Sequence, residues 1–230
     1  MRAFLRQTMD KNKTTTLTIS SILIFLAILI INPREENIKN QSKKTILKVP
    51  FTVQAPYGNW SAPYDEACEE ASIIMVLSYL KNETLTQIQA DNKILNLIEW
   101  EGGNNFSQDL DMNQLSKLVL KKFNLESTIY YNEEVNIQQI KSILDSGKPI
   151  IVPADGIQLE NPHFAQYGPL YHMLVIIGYD DKNFITNDPG TKFGQSYPYE
   201  QQLLMKAVHN WNGKKETLDL GEKAMITIRN

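Results

Sequence analysis

Cys68, the only cysteine in the sequence, has the most distinctive chemistry of any residue in the chain. The residues around it predict a helix that begins near Glu66, with Asp65 as its N-cap. A thiol in the first helical turn lies near unpaired N–H groups and the positive end of the helix dipole, and both favour a nucleophilic thiolate. Four acidic residues crowd the same turn: Asp65, Glu66, Glu69 and Glu70. Because their charge should raise the pKa of the thiol, a nucleophilic Cys68 needs a histidinium nearby, whereas a structural one would be a small buried apolar residue.

His172 is the histidine best suited to serve as the general base for such a thiol. It stands near the start of the strongest strand pattern of the sequence, residues 171–179, where apolar neighbours would hold the imidazole rigidly. The same position would also suit a core histidine with a purely structural role. For the other two histidines, His163 in a loop and His209 near a helix end, we expect surface or helix-capping roles.

Asp188 is a candidate for the residue that orients the imidazole. It follows His172 by 16 residues, just after a predicted hairpin partner strand over 183–186, so the hairpin should return it to the start of the first strand. A carboxylate there can fix the imidazole tautomer and stabilise the imidazolium. Asp-Pro-Gly is also a turn sequence, so Asp188 can initiate a turn at the same time. Asn187 is its nearest competitor for the orienting role.

Gln54, which precedes Cys68 by 14 residues, is a candidate oxyanion-hole residue. Its amide could donate to an oxyanion alongside the Cys68 backbone N–H, although a glutamine in a loop is more often ordinary polar surface. Several aromatic residues near these segments could line a peptide cleft or be ordinary core and rim residues. They are Tyr57, Trp60, Tyr64, Trp100, Phe164, Tyr167 and Tyr171.

Periodicity predicts an α+β domain in which helices precede most of the strands. Helices are expected at 66–80, 84–99, 111–122, 136–145 and 199–209, and strands at 48–53, 127–131, 149–153, 171–179, 183–186 and 223–228. This order favours a helical layer packed on an antiparallel sheet, with the Cys68 helix at its centre.

The N-terminal region predicts a membrane anchor. Residues 14–31 carry no charge and would span about 27 Å as a helix, close to the thickness of a bilayer core. Basic residues before it predict a cytoplasmic N-terminus at 1–13 and a domain at 47–230 outside the cell membrane, joined by a linker at 32–46. A cleaved signal peptide is the alternative, although no A-x-A-like site follows the apolar run. A buried core helix is a poorer fit, because residues 17–31 have no polar face.

Charge and composition limit the partners of this domain. The whole chain has a net charge of −3, and residues 1–31 carry +3, which leaves −6 for the remainder. An acidic body without a basic stripe argues against nucleic acid as a partner. A single cysteine excludes an internal disulfide and a thiolate zinc site, and we predict no cofactor and no metal ion.

Two stretches of the sequence resemble the C39-like cysteine peptidase family. One runs from Val49-Pro50-Phe51-Thr52-Val53-Gln54-Ala55-Pro56 through Trp60 to Ala67-Cys68-Glu69-Glu70-Ala71-Ser72. The other comprises Tyr171-His172-Met173-Leu174-Val175-Ile176-Ile177-Gly178-Tyr179 and Asn187-Asp188-Pro189-Gly190-Thr191. The resemblance implies a papain-like fold and a catalytic set of Cys68, His172 and Asp188, with Gln54 at the oxyanion hole. No G-x-x-x-x-G-K-[ST] motif is present, so the chain resembles a stand-alone form without an ABC transporter.

The sequence departs from that family at two points. Many relatives have Cys-Gly-Pro where this chain has Cys68-Glu69-Glu70, and the interval from Gln54 to Cys68 is longer than in the bacteriocin-exporter branch. Three functions therefore stay open. The first is a membrane-anchored, extracytoplasmic cysteine peptidase acting on peptides or proteins. The second is a cell-wall amide hydrolase or acyl transferase using the same residues, and the third is an inactive binding module.

Overall fold

The structure, a computed structural model, describes residues 44–165 and 168–229, apart from the side chains of 215 and 216. The predicted cytoplasmic N-terminus, the membrane anchor and all but the last three residues of the linker lie outside this range. Within the described residues, every helix is too short or too polar to cross a bilayer.

Seven strands and five α-helices make up the described part of the chain. In chain order they are β1 (Thr45–Ile46), α1 (Cys68–Leu80), α2 (Gln87–Gly103), α3 (Met112–Phe123), β2 (Glu126–Tyr131), α4 (Ile137–Asp145), β3 (Ile150–Asp155), β4 (Tyr171–Tyr179), β5 (Asn183–Asn187), β6 (Tyr197–Glu200), α5 (Gln201–Ala207) and β7 (Ala224–Arg229). Short 3-10 turns occur at Tyr64–Glu66, Asn132–Glu134 and Lys215–Leu220. The predicted α+β class is confirmed.

All strands join one antiparallel sheet in the order β2-β7-β3-β4-β5-β6, with the short β1 paired to the far end of β4. Every residue of β4 is buried, so both faces of the sheet need cover. One face packs against α1 and α3, and the other packs against α4 and α5. The sequence predicted a single helical layer; the second layer follows from the apolar character of both faces of β4.

Three predicted elements differ in detail. Residues 48–53 form no strand, since Pro50 has no N–H for a ladder, and β1 lies just before them instead. The predicted helix at 199–209 begins only at Gln201, because the residues before it form the edge strand β6. Pro198 is tolerated in this strand, since one side of an edge strand needs no N–H donor. Helix α1 begins at Cys68 with Ala67 as its N-cap, so the prediction of Asp65 as cap was wrong.

Helix α1 is buried continuously from Cys68 to Ser78, which makes it the central helix of the domain. Its sheet-facing residues, such as Met75, pack with β4, while Ala71 and Ile74 pack against Ile94 of α2. Full burial of a side chain the size of isoleucine or methionine stabilises the fold by about 1.5–3 kcal/mol. The cysteine at the start of α1 is thus attached to a rigid element.

The hairpin of β4 and β5 has the predicted connection and direction. Asp180 closes its turn by accepting hydrogen bonds from the backbone N–H groups of Lys182 and Asn183, at 2.9 and 2.7 Å. Val175 then pairs with Asn187, the last residue of β5. The residue after β5, Asp188, is therefore returned to the start of β4, where His172 lies.

Candidate active site

His172 and Asp188 form a buried pair at the start of β4. His172 Nε2 lies 2.7 Å from Asp188 Oδ1, and the exposed fractions of the two side chains are 1% and 0%. If Nε2 donates its proton to the carboxylate, the neutral imidazole carries its lone pair on Nδ1. That is the tautomer a general base needs at the opposite ring nitrogen.

Three further donors complete the environment of Asp188. The Tyr199 hydroxyl donates to Oδ2 at 2.6 Å, Asn161 Nδ2 donates to Oδ2 at 3.3 Å, and the Gly190 N–H donates to Oδ1 at 2.9 Å. Burial alone would raise the pKa of Asp188, but the charge and hydrogen bond of His172 and the hydrogen bonds of Tyr199 and Gly190 outweigh it and lower the pKa. Asp188 is thus held as a carboxylate that can stabilise an imidazolium.

Asn187, the competitor for the orienting role, contacts other groups. Its amide Nδ2 donates to the Val49 and Pro50 carbonyls at 3.1 and 3.4 Å, and its Oδ1 accepts the Ser196 N–H at 3.1 Å. Asn187 therefore fastens the segment before Gln54 to the sheet. The imidazole is contacted by Asp188.

Gly190 and Phe164 fix the plane of the imidazole. A Cβ on residue 190 would lie 2.8 Å from His172 Cε1 and 3.1 Å from Nε2, so only glycine allows this close approach. The Phe164 ring packs edge-on against the imidazole, with a centroid distance of 5.3 Å and an interplanar angle of 77°. Packing and hydrogen bonds together leave His172 little rotational freedom.

Cys68 is the first residue of α1 and only 4% exposed. Its Sγ donates to Glu69 Oε2 at 2.9 Å. Burial, followed by the charge and hydrogen bond of Glu69 and the charge of Glu70, raises the pKa of the thiol, while a backbone hydrogen bond at Met173 lowers it. Of the four acidic residues that were expected to raise it, Glu69 and Glu70 act in the predicted direction, and burial, which the sequence did not reveal, is the larger cause.

Cys68 and His172 line the same cavity of about 550 Å³. They reach it from different layers: Cys68 packs with Tyr171 and Met173 in the core on the α1 side, whereas His172 contacts Phe164, which packs on the core of the other side. Within the described residues, no hydrogen bond joins Sγ to the imidazole, because the thiol donates to Glu69 instead. The cavity therefore brings the two groups to one space without a direct bond.

Gln54 also lines this cavity, and its amide is already engaged. Its Nε2 donates to the Tyr64 and Asp65 carbonyls at 2.9 and 3.0 Å, while its own N–H donates to Pro189 O at 3.0 Å. Its Oε1 is buried without a hydrogen-bond partner among the described residues. In this arrangement Gln54 supports the turn that leads into Cys68 and connects it to the Asp188 loop. Donation to an oxyanion requires that one of the two carbonyl bonds be released.

The other two histidines lie where a structural role explains them. His163 is exposed at the cavity rim and stacks on Phe193 with a centroid distance of 4.6 Å. His209 follows α5, and its Nδ1 lies 2.9 Å from the Gly221 carbonyl. Across the described ranges, no group of three or more His, Cys, Asp and Glu residues could hold a metal ion.

Asn161, Tyr199 and Glu69 contribute to the site in ways that the sequence reasoning missed. Asn161 Nδ2 bonds both Asp188 and, at 2.6 Å, the Tyr199 hydroxyl. Tyr199 belongs to β6, but the sequence analysis placed it at the start of a helix over 199–209, so its approach to Asp188 could not be anticipated. Glu69 was recognised as a charge near Cys68, but no local pattern indicated that its carboxyl would contact the sulfur.

The chain was compared with protein families, with solved structures and with curated proteins. The sequence matches the profile of a family described as the Peptidase_C39 like family over residues 46–217. The fold matches the crystal structure of a protein from Bacillus anthracis described as a C39-like peptidase, with a TM-score of 0.54 and 16% sequence identity. That match covers 82% of this chain and 98% of the other. No curated protein matches the sequence. At this identity the structural similarity establishes the fold alone.

Proposed function

The chain belongs to the Peptidase_C39 like family, and on that basis we propose that it is a cysteine peptidase with Cys68 as its nucleophile. One observation carries the proposal: a cysteine at a helix start shares a cavity with a buried histidine–carboxylate pair. A nucleophile, a base and a group that orients the base are the parts that acyl transfer through a thioester requires.

The proposed reaction has two steps. The thiol proton passes to His172 Nδ1, and the Cys68 sulfur attacks the peptide carbonyl. The imidazolium, stabilised by Asp188, then protonates the leaving amine, so that a thioester to Cys68 forms as the peptide C–N bond breaks. Water, deprotonated by the neutral imidazole, attacks the thioester and releases the new carboxylate and the thiol.

The oxyanion of each step needs hydrogen-bond donors. The backbone N–H of Cys68 is the first of helix α1 and has no intrahelical acceptor. We assign Gln54 as the side-chain donor. One of its N–H groups would leave a neutral backbone carbonyl and donate to the oxyanion instead. A hydrogen bond to a charged acceptor is about twice as strong as a neutral one, which favours that exchange in the transition state.

The cavity lining supports a peptide substrate with apolar and neutral or basic side chains. Four aromatic residues line it, and all but Phe193 are among the seven that the sequence analysis singled out: Trp60, Phe164, Tyr171 and Phe193. Asp65 and Glu66 add negative charge to the same lining. Acidic substrate residues next to the cleaved bond would be repelled by these carboxylates.

Product analysis tests the peptidase assignment against its alternatives. The full-length chain, in detergent, is incubated with unstructured peptides, with peptidoglycan fragments and with peptides plus a free amine acceptor. We expect hydrolysis of peptides, fastest where aromatic, neutral or basic residues flank the cleaved bond. Hydrolysis of peptidoglycan amides alone would indicate a cell-wall amide hydrolase that uses the same residues. Transfer of the acyl group to the amine would indicate an acyl transferase. No turnover, with peptides bound intact, would indicate a binding module.

We also propose that residues 14–31 anchor the protein in the cell membrane, with the domain outside the cytoplasm. An uncharged apolar run preceded by basic residues supports this arrangement. Protease added to intact cells should degrade the domain, and high salt should not release the protein from membranes. A variant that lacks residues 1–31 should appear in the soluble fraction; a membrane-bound truncation or a protected domain would contradict the proposal.

A further inference from the structure

Glu69 makes a specific set of contacts behind the nucleophile. Its Oε2 accepts the hydrogen bond of Cys68 Sγ at 2.9 Å, and its Oε1 accepts the Leu110 N–H at 3.2 Å. The side chain is 1% exposed. Both oxygens therefore have defined partners, one of which is the reactive sulfur, and solvent has no access to the contact.

Two more buried carboxyls lie behind Glu69. Glu70 of α1 and Glu101 of α2 share a side-chain hydrogen bond, so one of the two must be protonated when the bond forms. Glu70 Oε2 and Glu101 Oε1 have no hydrogen-bond partner among the described residues. Three carboxyls thus occupy one buried region beside the thiol, and a charge on Glu69 or Glu70 raises the pKa of that thiol.

The other groups that act on Glu69 or its contacts are also acids. Cys68 and Glu70 face it from α1, and Glu101 faces it from α2. From β4, the Tyr171 hydroxyl donates to the Leu110 carbonyl at 2.7 Å and feels the charge of Glu69. Asp109 and Asp111, which flank Leu110, act on the same Tyr171 hydroxyl. In this part of the described structure, none of these groups supplies a positive charge to offset Glu69.

We propose that Glu69 is a positioning residue for the nucleophile: in its ionised form it holds the Cys68 thiol protonated and engaged away from His172. The proposal rests on the proposed function only in taking Cys68 as the nucleophile. A carboxylate can accept the S–H proton in a hydrogen bond but disfavours a thiolate beside it. A neutral Glu69 carboxylic acid has an O–H that can donate to the thiolate, so it favours the reactive form.

The protonation state of Glu69 thus sets the reactivity of Cys68. Burial and the charge of Glu70 raise the pKa of Glu69 to about 8, and burial raises the pKa of Glu70 to about 7. Below about pH 8 Glu69 is mainly neutral, and the thiolate fraction should rise with pH in the ordinary way. Above it, each Glu69 that ionises makes the neighbouring thiol harder to ionise. The pH profile of thiol reactivity should therefore flatten near pH 8 and rise again only at higher pH.

The rate of Cys68 alkylation by iodoacetamide, followed by intact mass over a pH series, tests this proposal. In the wild-type chain we expect a rise, a flat segment that begins near pH 8, and a second rise. Glu69→Gln keeps an acceptor for Leu110 and a side chain of the same shape but cannot ionise. It should show one rise of about tenfold per pH unit, and alkylation at pH 9 should be up to about tenfold faster than in the wild type.

Glu99→Gln is the matched control, because it removes an exposed carboxylate from the helix that carries Glu101. It should reproduce the wild-type profile. If Glu69→Gln does not fold, Glu70→Gln serves instead: removing its charge should move the flat segment to lower pH. A single-phase wild-type profile, or equal or slower alkylation in Glu69→Gln, would overturn the proposal. Alkylation needs no substrate, so these outcomes are independent of whether the chain cleaves peptides.

Discussion

Cys68→Ala should lower peptide hydrolysis by at least about 10⁴-fold, because no other side chain can form the thioester. The substitution removes one sulfur atom from a site that is 4% exposed and leaves the helix-start backbone unchanged. Thermal unfolding should therefore change little. Turnover of a peptide substrate and covalent labelling by thiol-directed inhibitors are the measurements, and both should disappear together.

Ser72→Ala is the matched control for this variant. Ser72 lies one turn further along α1, is fully buried, and donates to the Met173 carbonyl at 3.3 Å. It resembles Cys68 in size, helix and strand contact but has no role in the proposed chemistry, so its loss should leave turnover within a few-fold of the wild type. Undiminished hydrolysis in Cys68→Ala would refute the peptidase proposal.

Asp188→Asn should lower kcat by about 10³- to 10⁴-fold while the nucleophile stays in place. Both oxygens of the carboxylate accept hydrogen bonds, so the NH₂ group of an asparagine would face another donor in either orientation. In one orientation it meets His172 Nε2–H and the Gly190 N–H, and in the other it meets the Tyr199 hydroxyl. The imidazole would adopt the other tautomer and place a proton on Nδ1, where the base must be free. A buried charge network would also be broken, at a stability cost of about 3 kcal/mol.

The stability cost should depend on pH in a defined direction. The pKa of Asp188 is lowered in the folded protein, so its contribution is present above the unfolded value of about 3.9 and disappears as pH falls through the folded value. The difference in free energy of unfolding between wild type and Asp188→Asn should therefore shrink below about pH 4. Asp180→Asn is the control, because Asp180 closes the opposite end of the same hairpin. This variant should be less stable than the wild type but should keep its kcat. Equal loss of kcat in both variants would assign Asp188 a purely structural role.

The parts of the site that depend on local sequence could be predicted. The β4–β5 hairpin is a short connection between two strongly patterned strands, so the return of Asp188 to His172 follows from strand spacing alone. The helix that begins at Cys68 was visible from its periodicity to within two residues. These relations involve fewer than about 20 residues of chain, over which backbone geometry leaves few alternatives.

The parts that depend on distant packing could not be predicted. Tyr199 reaches Asp188 only because β6 pairs with β5, and a segment containing Pro198 gave no strand signal. Gln54 donates to two carbonyls of a 3-10 turn that the sequence assigned partly to the helix. The hydrogen-bond partner of the Cys68 sulfur depends on the positions of the neighbouring side chains in the folded protein. The pattern and composition of the sequence do not predict this partner.

The position of β7 has a consequence for biosynthesis. It is the last of the described strands in chain order, yet it lies between β2 and β3, one position in from the edge of the sheet. A growing polypeptide cannot complete the sheet until residues 224–229 have left the ribosome, and for an exported chain until they have crossed the membrane. The strand that joins β2 to β3, and so to the strand β4 that carries His172, is therefore the last part of the described sheet to be assembled. A product truncated before residue 224 should therefore lack a complete sheet.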